Sequence, residues 1–362
     1  MAENSKIEWC HHTVNFWWGC AKVSPGCEHC YAEGQAGRFY PGIWGPEAAR
    51  HVRIEAACWE AMRYDRQAVK QGRRFRVFTN SMSDFFEDRV ALTLARLEAL
   101  DVMRLTPHLD WLILTKRPGN ILSALRDVLV PSYRQERYDL NGWLEEWLAG
   151  NPPANIWLGT TVEDQERADQ RIPELLQVPA AVRFLSCEPL LGAVDLRHLV
   201  LKPTDHPELG KPDVSVDAMN GWYGGADEGR SCIDWVICGG ESGPKARPMH
   251  PDWARGLRDQ CAEAGVPFLL KQLGEWGPSA EDLATGEPRY RVFRDADHWW
   301  NKGQSWMSLG DILLDAEGMH CHSSGHIQKG VPPFTALRQV GKKAAGRLLD
   351  GRLHDEYPRS GE

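Results

Sequence analysis

The sequence predicts an α/β protein built on a partial or complete (β/α) barrel. Seven short apolar segments recur along the chain, most of them precede a stretch of helical periodicity, and most end in polar or glycine residues. Strands that are apolar on both faces are typical of a parallel sheet covered by helices. The alternative that the same repeat permits is a doubly wound sheet.

The predicted strands and helices alternate along the chain. In order, the strands are residues 13–15, 75–79, 111–115, 156–160, 182–186, 235–239 and 267–271. The longest helix is predicted at 46–71, with Pro46 in its first turn and Gly72 after its last. Further helices are predicted at 84–100, 120–128, 163–176, 252–264 and 333–349.

We expect two parts in the chain. Residues 1–275 are predicted to form the barrel core, interrupted at about 202–232 by an exposed insertion rich in Gly, Pro and Asp. Residues 276–362 are predicted to be an irregular segment followed by a C-terminal helix that packs on the barrel. The fold class is therefore a barrel with irregular insertions.

Composition favours a cytoplasmic protein. The chain has 362 residues, ten cysteines and a formal net charge of −8. The cysteines lack the spacing of a secreted disulfide framework, and we expect neither a signal peptide nor a membrane span. The negative charge argues against a surface that coats nucleic acid indiscriminately.

Three cysteines near the N-terminus form the most informative motif. Cys20, Cys27 and Cys30 lie in a C-x6-C-x2-C pattern within residues 19–31, directly after the first predicted strand. Soft thiolates at this spacing suit one metal ion or an iron–sulfur cluster. Three ligands instead of four leave a coordination position open, which is typical of a metal site that performs chemistry.

A zinc site is the alternative explanation of these cysteines. Structural zinc takes four protein ligands, and four nearby residues are candidates for the fourth, namely Cys10, His11, His12 and His29. Five other cysteines are expected to be packed thiols. They are Cys58, Cys187, Cys232, Cys238 and Cys261.

Polar or glycine residues follow the six later strands. In a parallel barrel the carboxyl ends of the strands form one mouth, where ligands bind. The alternative is that these residues cap the following helices. They are Asn80 and Ser81 with Asp84; Thr115, Lys116 and Arg117; Thr160 and Thr161 with Glu163; Ser186 with Glu188; Gly239, Gly240, Glu241 and Ser242; and Lys271 with Gln272.

Several of these motifs together resemble a known family. They are Ile7-Glu8-Trp9, the run from Gly19 to Glu33, Asn80 to Asp84, Leu114 to Pro118, Cys187 to Gly192, Gly239 to Gly243, Lys271 to Gly274 and Gly346 to Arg352. The chain is similar at these positions to the three-cysteine-motif family of phages and bacteria, whose function is unknown. That family in turn resembles radical S-adenosylmethionine enzymes.

The resemblance implies a fold and a chemistry. Radical S-adenosylmethionine enzymes use a partial (β/α) barrel whose three cysteines hold a [4Fe–4S] cluster, with an aromatic residue after the third, where this chain has Tyr31. Their common spacing is C-x3-C-x2-C, so the longer first loop here is a departure. The open iron would bind S-adenosylmethionine, and an electron from an external donor would release a 5′-deoxyadenosyl radical.

The resemblance also implies roles for the residues at the strand ends. Glu188, Glu241 and Lys271 are the candidates for catalysis. Cofactor binding is assigned to Tyr31, Asn80, Ser81, Lys116, Thr160, Ser186, Gly239, Gly240 and Glu241, with Cys20, Cys27 and Cys30 as the metal ligands.

Two basic segments favour a nucleic-acid or nucleotide substrate. Residues 63–76 carry six basic residues against Asp65 alone, with aromatic residues nearby. Cations and aromatic rings suit phosphates and stacked bases, although an ordinary solvated helix face is the alternative. We expect this segment to flank the route to the mouth. The second basic set is Arg338, Lys342, Lys343, Arg347 and Arg352.

Two functions are therefore open. The first is a radical enzyme that modifies or repairs a nucleobase in DNA or RNA, such as a lesion-repair lyase. The second is a non-catalytic nucleic-acid-binding module that zinc or a cluster stabilises.

Overall fold

The computed structural model describes residues 5–200, 215–221, 231–281, 283–284, 288–303 and 307–358. Its main element is a sheet of seven parallel strands that follow one another in chain order and curl into an open half-barrel surrounded by helices. The strands are β1 (His12–Val14), β2 (Phe75–Thr79), β3 (Leu109–Thr115), β4 (Ile156–Thr161), β5 (Val182–Cys187), β6 (Trp235–Gly239) and β7 (Phe268–Gln272).

This topology confirms the predicted α/β class and the partial barrel. The strand order shows no reversal, whereas a doubly wound sheet requires one, so that alternative is wrong. Each predicted strand lies within two residues of an observed one. The agreement follows from the apolar character of both strand faces, which marks buried parallel strands in the sequence.

Seven helices accompany the sheet. They are α1 (Tyr31–Phe39), α2 (Ile54–Gln71), α3 (Thr93–Arg104), α4 (Ile121–Arg134), α5 (Tyr138–Leu148), α6 (Gln165–Leu176) and α7 (Pro251–Ala264). Helix α2 ends as predicted at Gly72, whose φ of 62° suits a glycine. It begins later than predicted because His51–Val52 forms a short antiparallel ladder with Trp17–Trp18.

The strands separate two apolar layers. The larger layer lies under the helices and includes Val77, Trp111 and Leu158. The smaller layer fills the concave face, where the Trp9 and Phe78 ring centroids are 4.5 Å apart. Since Trp9 and Phe78 also line the cavity at the strand ends, the concave layer forms the floor of that cavity.

The C-terminal segment covers the free edge of β7. Leu270 N donates to His354 O at 2.9 Å, and Leu269 forms an antiparallel bridge with Asp355. Tyr357 Oη then donates to Glu8 O at 2.9 Å. The tail therefore connects the last strand of the half-barrel to the N-terminal segment.

A second, antiparallel sheet follows the half-barrel. Its strands are β8 (Trp276–Pro278), β9 (Arg291–Phe293), β10 (Asp311–Leu314) and the central β11 (Phe334–Gln339). The sheet has its own core, which includes Phe293, Leu313 and Phe334. The predictions of an irregular segment here and of a helix at 333–349 are therefore wrong. Pairing on both sides of β11 overrides its helical propensity, and only Lys342–Ala345 is helical.

The predicted insertion at about 202–232 lies mostly outside the described residues. Of its described part, Ser215–Val216 pairs with Leu199–Val200. Among the described residues, none of the helices has both the length and the apolar character needed to cross a membrane.

Candidate functional site

A cavity of about 220 Å³ opens at the carboxyl ends of the parallel strands. Cys20, Cys27 and Cys30 all line it. The loop that carries them leaves the end of β1 and crosses the mouth before α1 begins. The fold thus brings the three thiols of the cysteine motif to one open space.

Most of the strand-end residues assigned to ligand binding line the same cavity. They are Asn80, Ser81, Lys116, Ser186, Glu188, Gly240, Glu241 and Lys271, together with Tyr31 from α1. Thr160 does not line it, because its fully buried hydroxyl donates to Thr115 O at 3.0 Å. Its neighbour Thr161 lines the cavity instead.

The two glycines at the end of β6, Gly239 and Gly240, serve packing. A Cβ on Gly239 would lie 2.5 Å from Glu188 Oε1, so Gly239 lies behind the cavity wall. A Cβ on Gly240 would lie 2.1 Å from Leu273 O. The absence of a side chain is therefore explained by these protein neighbours without any ligand.

The first anchor of the cysteine loop is the pair Asp84 and Arg117. Buried Asp84 accepts from Arg117 Nη1 at 2.8 Å and from Thr115 Oγ1 at 2.7 Å. Arg117 Nη2 donates to Ala21 O at 2.9 Å, and Nη1 lies 3.9 Å from Cys20 Sγ. Burial, and then the Asp84 carboxylate, raises the pKa of Cys20 to about 11 against the opposing charge of Arg117.

The second anchor is Glu163, which follows β4. This fully buried carboxylate accepts from Arg171 Nη1 at 2.6 Å and also accepts a hydrogen bond from the Ser24 hydroxyl. A Cβ on Gly26 would lie 2.5 Å from Glu163 Cγ. The loop therefore rests on Glu163 at a position that only glycine fits.

The third anchor is the pair Glu241 and Arg247. Arg247 donates from Nε and Nη2 to the Glu241 carboxylate at 2.9 and 2.7 Å, and from Nη2 to Pro25 O at 3.0 Å. His29 Nδ1 lies 3.1 Å from Glu241 Oε2. Burial alone would raise the pKa of Glu241, but the hydrogen bonds from Arg247 and His29 lower it.

The cysteine loop is thus held at three points by acid–arginine pairs. The three acids, Asp84, Glu163 and Glu241, were among the residues predicted at the strand ends. The sequence analysis did not identify their partners Arg171 and Arg247. Arg171 lies on the buried face of α6, where an arginine requires a partner. The helical position of Arg171 could have identified it from the sequence. No comparable sequence feature identifies Arg247.

The third cysteine begins α1. Cys30 is the N-cap residue and Tyr31 the first residue of the helix. The N-terminal end of a helix carries partial positive charge, which is favourable beside a thiolate. Tyr31 Oη donates to Ser81 O at 2.9 Å and fixes the start of α1 to the end of β2.

The structure separates the candidates for a fourth zinc ligand. Cys10, His11 and His12 line a different cavity at the amino ends of the strands. His29 lines the mouth.

The three thiols suit a metal ion or cluster by their chemistry and by their shared cavity. Among the residues that the structure describes, however, no three His, Cys, Asp or Glu side chains form a preassembled metal-binding group.

Two cationic side chains complete the cavity. Lys271 Nζ lies 3.0 Å from Glu188 Oε1, and Ser186 Oγ donates to Glu188 Oε2 at 3.3 Å. Lys116 Nζ donates to the neutral Thr161 hydroxyl at 3.2 Å. The Lys271–Glu188 pair can hold and move a proton, and Lys116 can bind an anionic group.

The expectation that residues 63–76 flank the route to the mouth is wrong. They include the end of α2 and the beginning of β2, and a parallel strand begins at the end of the sheet opposite the mouth. Arg74 pairs with Asp110 at 2.7 Å, and the Arg76 guanidinium lies 4.0 Å from the Tyr357 ring centroid. In the second basic set, Arg338 pairs with Asp311 and Arg347 with Asp355.

The five cysteines predicted to be packed thiols are away from the cavity. Cys187, Cys238 and Cys261 are fully buried, and Cys58 and Cys232 are half-buried. Burial raises the pKa of each, which keeps them protonated at neutral pH.

The family model DUF5131, described as a protein of unknown function, matches residues 4–358 of the chain. No curated protein and no solved structure matches the chain. The match confirms a family of unknown function over nearly the whole chain, and the relation to radical enzymes stays a prediction. The chain belongs to the DUF5131 family.

Proposed function

We propose that this protein is a radical S-adenosylmethionine enzyme whose Cys20, Cys27 and Cys30 hold a [4Fe–4S] cluster. The proposal is carried by one observation: the three thiols line a single cavity at the carboxyl ends of a parallel half-barrel. When bound, such a cluster supplies an electron that cleaves S-adenosylmethionine to a 5′-deoxyadenosyl radical.

The protein's own residues would position and shield that chemistry. The three acid–arginine pairs hold the cysteine loop at the Ala21 and Pro25 carbonyls and at the Ser24 hydroxyl. The guanidinium of Arg117 lies beside Cys20, where its positive charge offsets the negative charge of thiolate ligands. The apolar floor formed by Trp9 and Phe78 excludes water from beneath the loop.

Polar groups at the mouth suit the cofactor. Lys116, whose hydrogen-bond partner is a neutral hydroxyl, is available to a carboxylate. Ser186 and Asn80 offer hydrogen bonds to amino or ribose groups. Lys271 and Glu188 are the groups that we assign to proton transfer with the substrate, since they lie 3.0 Å apart in the cavity.

The substrate that we propose is a nucleobase in DNA or RNA. Tyr31 and Trp44 line the mouth, and Tyr31 is 53% exposed, so their rings are available for stacking on a base. Lys22, at the rim, is paired with Glu33 at 2.8 Å and would exchange that partner for a phosphate. The basic residues 63–76 lie at the other end of the sheet and do not support this part of the proposal.

The test is anaerobic reconstitution with iron and sulfide, followed by reduction with dithionite in the presence of S-adenosylmethionine. We expect release of 5′-deoxyadenosine by the native protein and by Cys58→Ala, and none by Cys20→Ala, Cys27→Ala or Cys30→Ala. A fully loaded cluster without cleavage would contradict the enzyme. Stoichiometric zinc without iron would favour the metal-stabilised binding module.

A further inference from the structure

A second cavity, of about 670 Å³, lies at the amino ends of β1 and β2. Its lining includes Ser5, His11, His12, Lys70, Arg73 and Phe75. Because the strands are parallel, this cavity opens at the end of the half-barrel opposite the cysteine loop. Its volume is within the roughly 300–1,000 Å³ of small-ligand pockets.

The cavity is positively charged. Among the described residues that line it there is neither Asp nor Glu, whereas Lys70 and Arg73 are both present. In the part of the chain that the structure describes, neither cation forms an ion pair. Arg73 Nε donates to the neutral Gln71 amide oxygen at 3.0 Å, and its guanidinium lies 4.8 Å from the Phe75 ring centroid.

The one acidic residue of the basic segment does not neutralise the cavity. Asp65 lies on another face of α2, where it accepts from the backbone N of His108 at 2.9 Å. Its side chain also lies 3.2 Å from the His108 ring nitrogen. Within the described residues, the positive charge of Lys70 and Arg73 therefore has no acidic partner.

The end of α2 does not itself account for the two cations. Basic residues often occupy the last turn of a helix to bind its free carbonyl groups. Here the backbone N of Gly72 donates to Val69 O at 3.1 Å, and that of Arg73 to Ala68 O at 3.2 Å. The carbonyls of Ala68 and Val69 in the last turn of α2 thus have backbone partners.

His11 adds a neutral hydrogen-bond donor. Its Nδ1 accepts from the backbone N of Arg76 at 2.8 Å, so the proton of the neutral ring is on Nε2. Burial, and then the charges of Arg76 and Arg73, lower the pKa of His11 to about 4. The ring is therefore neutral at pH 7 and has one N–H to donate.

We propose that this second cavity binds a phosphate group, supplied by a nucleotide or by a nucleic-acid strand. Lys70 and Arg73 provide the charge, and His11 provides a hydrogen bond. Phosphate recognition by Lys, Arg and neutral donors is the common mode in proteins. The site goes beyond the proposed enzyme function and does not depend on the cysteines.

The experiment is calorimetric titration of the full chain at low salt with four probes. They are inorganic pyrophosphate, thymidine 5′-monophosphate, and hexathymidylate with and without a 5′-phosphate. Binding of the first two indicates a nucleotide, and binding confined to the hexamers indicates a strand. The double variant Lys70→Glu/Arg73→Glu should lose affinity about tenfold or more.

The matched control is Arg66→Glu, which reverses an exposed charge on the same helix outside the cavity. It should bind within about twofold of the native protein. Circular dichroism melting checks that each variant folds, and Lys70→Gln/Arg73→Gln repeats the test with smaller perturbation. The proposal is overturned if no probe binds the native protein, or if Arg66→Glu loses as much affinity as the double variant.

Discussion

Arg117 links the Asp84 carboxylate, at 2.8 Å, to the Ala21 carbonyl beside Cys20, at 2.9 Å. One guanidinium therefore connects the ends of β2 and β3 to the cysteine loop. Glu163 and Arg247 repeat this arrangement further along the loop. The position of the thiols depends on ion pairs that the strand ends supply.

Replacing Arg117 by Met should loosen the loop and destabilise the protein. It leaves the carboxylate of Asp84, whose side chain is 6% exposed, without its cation, which typically costs about 3–5 kcal/mol. Alkylation of Cys20 under native conditions should become faster, because a loosened loop relieves the burial that is the main cause of the raised pKa of Cys20, and this outweighs the loss of the Arg117 charge. Mass spectrometry of the labelled cysteines measures the rate, and urea unfolding measures the stability.

The matched control for that variant is Arg104→Met, which removes one arginine partner of Asp101 in α3, at 2.8 Å, and leaves the other, Arg137, at 3.1 Å. It should leave Cys20 labelling unchanged. Equal acceleration in both variants would mean that Arg117 has no specific role in holding the loop.

Gly26→Ala should displace the loop from Glu163. The new Cβ would lie 2.5 Å from Glu163 Cγ, and overpacking of this kind costs about 1–3 kcal/mol. Gly142→Ala is the control, because a Cβ there meets no atom within 4 Å in the middle of α5. It should add roughly 0.5–1 kcal/mol of stability. Destabilisation by Gly142→Ala, or none by Gly26→Ala, would contradict this packing.

Because of His11, the free energy of unfolding should decrease as the pH is lowered. Its pKa is lowered to about 4 by burial and by Arg76 and Arg73, so the unfolded chain takes up a proton first as the pH falls. The contribution is fully present above pH 6.5, the unfolded value, and is lost between 6.5 and 4. We expect an effect on the order of 1 kcal/mol at pH 5, since part of the ring is solvated.

The measurement is urea unfolding of native protein and His11→Asn at pH 7.5 and 5. Asn retains an acceptor near the Nδ1 position but does not titrate there. The variant should lose less stability between the two pH values than the native protein. Equal losses would show that His11 is not responsible, and His250, whose pKa burial also lowers, would be the next candidate.

The strands and the composition of the mouth were predictable because they depend on local sequence. Apolar runs such as 235–239 mark buried strands, and the polar residues after them must meet at one end of a parallel sheet. The contacts that hold the loop join residues far apart in the chain. Ser24 and Glu163 are 139 residues apart, and Pro25 and Arg247 are 222 residues apart. The periodicity of the sequence does not predict contacts over such separations.

The second sheet was missed for a different reason. The sequence of Phe334–Gln339 lacks the alternation of apolar and polar residues that would distinguish a strand from a helix. The segment forms a strand because it pairs with β10 on one side and with β8 and β9 on the other. The basic segment was misplaced because its charge composition alone carries no position. Its place just before the predicted parallel strand 75–79 does, and puts it at the amino end of the sheet.

The central claim is that Cys20, Cys27 and Cys30 together hold one [4Fe–4S] cluster. The most direct measurement is the iron and sulfide content of anaerobically reconstituted protein, compared with that of each cysteine-to-alanine variant. We predict about four irons and four sulfides per chain in the native protein and in Cys58→Ala, and near-complete loss when any of the three cysteines is replaced. Full iron content in any one of the three variants, or one zinc and no iron in the native protein, would contradict the claim.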